Sequence, residues 1–384
     1  MIKIYCFFCF FLMILTNCYL TASEVEISMF SKVAVLIPIL LLLLYTKIDL
    51  FLYKNIWWVM IYVCVLQIVT DKRNLGEHIL FFAPIALYLP YYKFILVKQK
   101  SLLFYILIIY LLECSICIWE YQSHTNLFYQ ISDEYQRFRS TGIWGHPLNN
   151  AMLVSVFMLF VLLSKISTKL KFILFALGFY TLFSFNARAS IVMTLFSSFI
   201  CFIINRKRTI YYLRKHLYII PVIIILSIIF FSYLNNSDLG GKLFDSESRN
   251  LQDNSAQARL GALMILNNLT FEEWLFGFKA YEVLLKNTEF GFIESGTLIM
   301  LFKYGLVAAI PVLFILFKTL FVFMRDIEVK NRWILIIHIF VIGSTSPSFV
   351  NLFIWVFIYL FYTALFLSTQ YISKKSRFYK LCFQ

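Results

Sequence analysis

Two arginines and a glutamate are the residues whose types and settings best suit chemistry on a charged ligand. Arg188 sits in Phe185-Asn186-Ala187-Arg188-Ala189-Ser190, a short polar interruption between two apolar runs. Its guanidinium offers a planar fork of N–H donors that matches paired phosphate or pyrophosphate oxygens. The same place also suits an interfacial arginine reaching toward lipid headgroups, and both readings stand. Arg259 lies in SAQARLGALMILNN at 255–268, where the spacing of Leu260, Leu263, Met264 and Ile265 predicts a helix along the membrane surface. It is either that helix's solvated face or a second clamp that joins Arg188 on a dianionic group. Glu294 precedes an apolar run that contains Lys303 and Gly305. With Ser295 it can cap that helix at its positive end, or it can act as the general base that deprotonates an acceptor hydroxyl.

A third group is RFRSTGIWGHPLNN at 137–150. Pro147 predicts the first turn of a helix, with Gly145 before it making a rigid approach. His146, Asn149 and Asn150 then lie near the membrane surface, Asn149 placed to bind a sugar hydroxyl and Trp144 to stack on a pyranose face. The alternative is a helix cap beside an ordinary aromatic belt. Lys303 lies deeper in its run, where an unpaired ammonium is costly. It must pair, with Glu113 as a candidate, or line a wet groove. His338 reads as a packed side chain. Cys114-Ser115-Ile116-Cys117 has redox spacing but stands inside an apolar run, which favours packing.

The elements that must hold these groups are transmembrane helices. Mean hydropathy is +0.81, 61% of residues are apolar and only 14% are charged, well below the quarter or so typical of soluble domains. Apolar runs of spanning length are predicted at 2–20, 29–45, 55–70, 78–97, 101–119, 147–164, 170–185, 189–204, 217–234, 295–317, 333–346 and 349–367. The first reads as a retained span and not a cleaved leader. The fold class is therefore an all-α polytopic membrane protein of about 12 transmembrane helices. It forms a single membrane domain over 1–384, with one large external loop region at 235–292. With this count both termini share a face, and most of the 34 basic residues fall on it, including the cluster Arg206-Lys207-Arg208. Only Asp49, Asp326 and Glu328 of the 20 acids join them. The positive-inside rule makes that face cytoplasmic and both long polar loops external. The net charge of +14 is thus spread over short connectors, which argues against a nucleic-acid partner.

The chain has no P-loop, no HExxH and no external aspartate pair suited to a divalent metal, so the expectation is a metal-independent site with no cofactor. The short cytoplasmic connectors leave no room for a domain that would use nucleotide sugars. A glycan donor would have to arrive in the membrane already activated by its own lipid leaving group.

With these features the chain resembles the O-antigen polymerase/ligase superfamily (Wzy- and WaaL-like membrane proteins). The resemblance is carried by RFRSTGIWGHPLNNA at 137–151, FNARAS at 185–190, ARLGAL and EEWLFGF within 258–278, and ESGTLIMLFKYGLVA at 294–308, together with the twelve-span plan. It implies a glycosyltransferase on the outer face of a bacterial cytoplasmic membrane. As a polymerase it would move a glycan from undecaprenyl pyrophosphate to a lipid-linked acceptor repeat, with a chain-length regulator as a candidate partner. As a ligase it would deliver the glycan to lipid A-core. The resemblance also implies that Arg188 and Arg259 bind pyrophosphate, joined by Arg139. Ligases carry a histidine where this chain has Glu294, which favours the polymerase. A polysaccharide flippase or other transporter is the alternative from a different class; it would carry charge deep in several spans, whereas here charge gathers at one surface.

Overall fold

A computed structural model describes residues 5, 9–11, 29–70, 75–99, 101–128, 138–206, 265–266, 269–277 and 295–369. All regular structure among them is helical. In order the helices are α1 (Met29–Tyr45), α2 (Lys54–Val69), α3 (Leu75–Phe94), α4 (Leu102–Ser123), α5 (Pro147–Leu163), α6 (Thr168–Ser184), α7 (Arg188–Ile204), α8 (Phe271–Phe276), α9 (Gly296–Phe323), α10 (Val329–Ser344) and α11 (Leu352–Tyr362). A π-helical turn, Thr363–Ser368, continues α11. The predicted spans at 2–20 and 217–234, and most of the loop at 235–292, lie outside the described residues.

Among the described residues, three helical stretches are long and apolar enough to cross a membrane: His78–Lys98, Leu102–Ser123 and Gly296–Phe323. Others, such as Lys54–Val69, Pro147–Leu163 and Arg188–Ile204, are apolar but shorter. At 1.5 Å per residue a 17-residue helix rises about 25 Å, a little less than the roughly 30 Å hydrocarbon layer.

The distribution of side chains is that of a bundle in lipid. α5 and α11 form the centre: residues from Ala151 to Val161 and from Phe353 to Tyr362 are almost wholly buried. The surrounding helices turn large apolar side chains outward, among them Trp58, Ile61 and Val65 on α2, Phe104 and Leu112 on α4, and Leu195, Phe196 and Phe199 on α7. Faces this apolar would be an aggregation liability in water and are ordinary against acyl chains. In that solvent apolar burial gives little net drive, and close packing plus a few polar ties decide the arrangement. The Tyr110 ring stacks on Phe157 at 4.0 Å between ring centres. Its hydroxyl donates to the Leu174 carbonyl at 2.9 Å, joining α4, α5 and α6. His338 on α10 lies between Ser197 Oγ on α7 at 3.0 Å and Ser155 Oγ on α5 at 3.2 Å. It is a fully buried packing residue, as its apolar surroundings suggest.

Alternation of the helices sorts their ends. One end of the bundle carries the C-termini of α4 and α6, the N-termini of α5, α7 and α9, and the turn between α10 and α11. The other carries the ends of α3, α9 and the π turn. The α10–α11 connection is the tight turn that Ser344-Thr345-Ser346-Pro347-Ser348 predicts. α10 stops at Ser344, a 3₁₀ turn covers Pro347–Val350, and α11 starts at Leu352.

Candidate functional site

The site is built around the segment 138–146, which returns from α4 to α5. Two glutamates one heptad apart on α4 hold it, both fully buried. Glu120 Oε2 accepts the backbone N–H groups of Thr141 at 2.7 Å and Gly142 at 2.9 Å. Its Oε1 accepts the N–H of Leu127 at 2.9 Å. Glu113 Oε2 accepts the N–H of Ile143 at 2.7 Å, and Cys117 Sγ lies 3.3 Å from its other oxygen. A carboxylate is acceptor-only, so several backbone donors converging on one is the arrangement that satisfies both partners in a dry setting. Glu113 is thereby committed to the segment and is not the partner of Lys303, whose ammonium lies 6.0 Å from the Tyr304 ring centre. Ser140 Oγ adds a donation to the Cys117 carbonyl at 2.7 Å. Cys114 and Cys117 are buried free thiols in this packing.

Gly142 makes the fit possible. Its φ is +56°, and a Cβ there would overlap Glu113 Oε1 and come within 2.7 Å of Cys117 Sγ. The backbone therefore approaches the carboxylates at a distance only glycine allows. Gly142 and Gly145 both turn through positive φ, which folds Trp144 back into the bundle. Its indole is 1% exposed and packs on Phe357 at 5.5 Å and Phe353 at 6.0 Å. Both faces are covered in this conformation, and a pyranose would reach the ring only if α11 moved away. Asn149, 7% exposed, spends its Oδ1 accepting from Ser348 Oγ at 2.9 Å. Asn150 donates to the Thr141 carbonyl. His146 is exposed and immediately precedes α5, with Pro147 in the first turn.

The same segment runs against the turn between α6 and α7. Ser140 N–H donates to the Ser184 carbonyl at 3.2 Å, and Asn186 Nδ2 donates to the Phe138 carbonyl at 3.2 Å. Asn186 adopts φ +52°, which ends α6 and lets Arg188 begin α7. Arg139 stands between the two residues that make these bonds, and Arg188 stands two residues past Asn186. Both are half-buried. The two arginines thus leave adjacent, mutually bonded stretches of backbone at one end of the bundle.

No family model matches the chain, and no curated protein or solved structure matches it significantly.

Two of the candidates read from the sequence, Arg259 and Glu294, lie outside the described residues. The elements next to them are described. Ser295 caps α9, its hydroxyl accepting the Leu298 N–H at 3.4 Å. The stretch Glu272–Gly277, which reads in sequence as a break in pattern, instead overlaps α8 (Phe271–Phe276), started by a reciprocal capping box between Thr270 and Glu273. Gly277 ends α8 as a turn at φ +75° and lies flat on the backbone of α9. A Cβ on it would meet Phe302 O at 2.6 Å and Gly305 N at 2.8 Å. Gly305 itself leaves helical geometry at φ +68°, ψ +171°, breaking α9 where α8 docks. The two glycines let two backbones touch, and no side chain fits between them. Among the described residues no group of three His, Cys, Asp or Glu side chains is placed to hold a metal ion.

The residues that sequence reasoning missed are the positioning ones. Glu120, Ser140 and Asn186 fix the segment and Ser348 holds Asn149 in the first turn of α5, and their signal in the sequence is limited to being polar residues at the edges of apolar runs.

Proposed function

We propose that this end of the bundle binds the pyrophosphate of a polyprenyl-linked glycan on the extracytoplasmic face, within a twelve-span protein whose termini are cytoplasmic, and transfers the glycan to a lipid-linked acceptor repeat. The observation that carries the reading is the bonded pair of segments from which Arg139 and Arg188 emerge. Two guanidiniums on neighbouring rigid backbones offer bidentate donors to one diphosphate. Arg259, in the large loop, completes the clamp in this reading.

The reaction is a displacement at the anomeric carbon. The acceptor sugar oxygen forms a bond to that carbon while the bond to the pyrophosphate oxygen breaks. The hydroxyl proton passes to Glu294, and the lipid pyrophosphate leaves with the bonding pair. Charge grows on the leaving oxygens as the bond breaks, so the arginines stabilise the transition state more than the ground state. Trp144 and Asn149 set the shape of the loop, and His146 is its accessible side chain toward the glycan.

The test is polymerisation of purified lipid-linked repeat by the purified protein. Loss of long products in Arg188→Ala and Arg139→Ala supports the clamp; full-length products from the double variant overturn it. Transfer to lipid A-core in place of a second repeat would identify a ligase. The break in α9 at Gly305 favours a second reading, since discontinuous helices also occur in transporters. Glycan translocation into proteoliposomes without chain growth would support that reading.

A further inference from the structure

The opposite end of the bundle holds a cavity of about 630 Å³ between the start of α2, the ends of α3 and α9, and the π turn after α11. Among the described residues four cations line it: Lys54, Lys93, Lys318 and Arg325. The one carboxylate among the lining residues, Asp326, is already engaged. Tyr362 Oη donates to its Oδ2 at 2.9 Å, and its own backbone N–H reaches the same hydroxyl at 3.2 Å. The cations are therefore in excess. Two of them sit near aromatic rings: Lys93 Nζ lies 5.8 Å from the Tyr53 ring centre and 5.5 Å from that of Phe94, and Lys318 Nζ lies 5.7 Å from that of Phe314. Tyr53 adds a phenolic O–H donor to the lining. Most of the remaining wall is apolar, including Phe94, Val97, Val322 and Leu367, with Asn55 and Thr319 as its uncharged polar members.

We infer that this cavity binds the phosphate headgroup of an anionic phospholipid, with Lys54, Lys93, Lys318 and Arg325 around the phosphate and the apolar wall against the acyl chains. A free phosphate would satisfy the cations but leave the apolar wall without a partner. A phospholipid satisfies both, and at a helix-end rim it enters laterally from its own leaflet. A basic pocket between helix ends is the general form such sites take. The site is distinct from the arginines at the other end and does not depend on the proposed reaction.

The experiment is native mass spectrometry and thermal unfolding of the full chain after delipidation, with phosphatidylglycerol, phosphatidylcholine or inorganic phosphate added back. Phosphatidylglycerol should remain bound and raise the unfolding midpoint, with the other two having little effect. Each basic residue near an anionic lipid is worth about fivefold in affinity, so Lys93→Gln/Arg325→Gln should weaken retention about thirtyfold. Lys165→Gln, on a connector outside the cavity, should retain it. Should the first pair fold poorly, Lys54→Gln/Lys318→Gln, at two exposed positions, gives the same readout. Unchanged retention in a folded double variant would overturn the inference. So would an equal shift from inorganic phosphate, which would assign the cavity to a soluble anion.

Discussion

Replacing Glu120 tests the architecture of the site before any substrate is known. Its carboxylate accepts three backbone N–H groups, from Leu127, Thr141 and Gly142, at 2.7 to 2.9 Å, and it is fully buried. A buried donor left without an acceptor costs about 1–3 kcal/mol. Glu120→Gln keeps the shape and one acceptor oxygen, which can serve the Thr141 and Gly142 pair, while the new amide faces the Leu127 donor. The expected loss is about 2–3 kcal/mol. Glu120→Ala leaves all three donors without their acceptor, and water reaching this end of the bundle satisfies part of the deficit, for a loss of about 3–5 kcal/mol. The assay is equilibrium unfolding in mixed micelles, paired with amide hydrogen exchange. Amides of Thr141, Gly142 and Ile143 should exchange at least about tenfold faster in either variant, with the amides of α10 unchanged. Stability within about 0.5 kcal/mol of the parent for Glu120→Ala, with those amides still protected, would refute the account.

The other predictions follow from the same geometry. Gly142→Ala should destabilise by at least about 2 kcal/mol, combining strain at φ +56° with overlap on Glu113; a midpoint equal to that of the parent would contradict it. Trp144→Ala should lose about 3–5 kcal/mol while Trp144→Phe loses far less, because the indole fills a pocket of phenylalanines. If the ring instead stacked on sugar, Trp144→Phe would raise KM and leave the unfolding midpoint alone. His338→Leu removes ties to Ser155 and Ser197. It should weaken the α5–α7–α10 contact by about 1–2 kcal/mol in micelles, the usual worth of such bonds in membranes. Gly305→Ala should release α8 from α9 through overlap with the Leu275 carbonyl, seen as faster exchange across Phe271–Phe276.

Helix placement was largely legible in the sequence because apolar run length and end signals agree. Pro147 marks the start of α5, Ser295 caps α9, and the polar Ser344–Ser348 stretch gives the turn it predicts. The Thr270/Glu273 capping box was also present in the sequence, but the short apolar segment after it read as an interruption. Tertiary commitments were not legible. In sequence Glu113 is one candidate partner for Lys303, with a wet groove as the alternative, yet its carboxyl accepts instead from a backbone segment thirty residues on. Trp144 sits in a polar stretch and reads as exposed. Two positive-φ glycines reverse the chain and bury it, an effect no hydrophobic period records. The adjacency of Arg139 and Arg188 likewise depends on bonds from Ser140 and Asn186 that span more than forty residues.

The most direct measurement of the central claim is the affinity of the purified protein for undecaprenyl pyrophosphate, with Arg139→Gln and Arg188→Gln compared against the parent. A charge-assisted bond is worth about 1.5–3 kcal/mol, so each substitution should raise Kd by roughly tenfold or more. The two together should abolish the preference for pyrophosphate over the uncharged polyprenol. An unchanged Kd in the double variant would contradict the account.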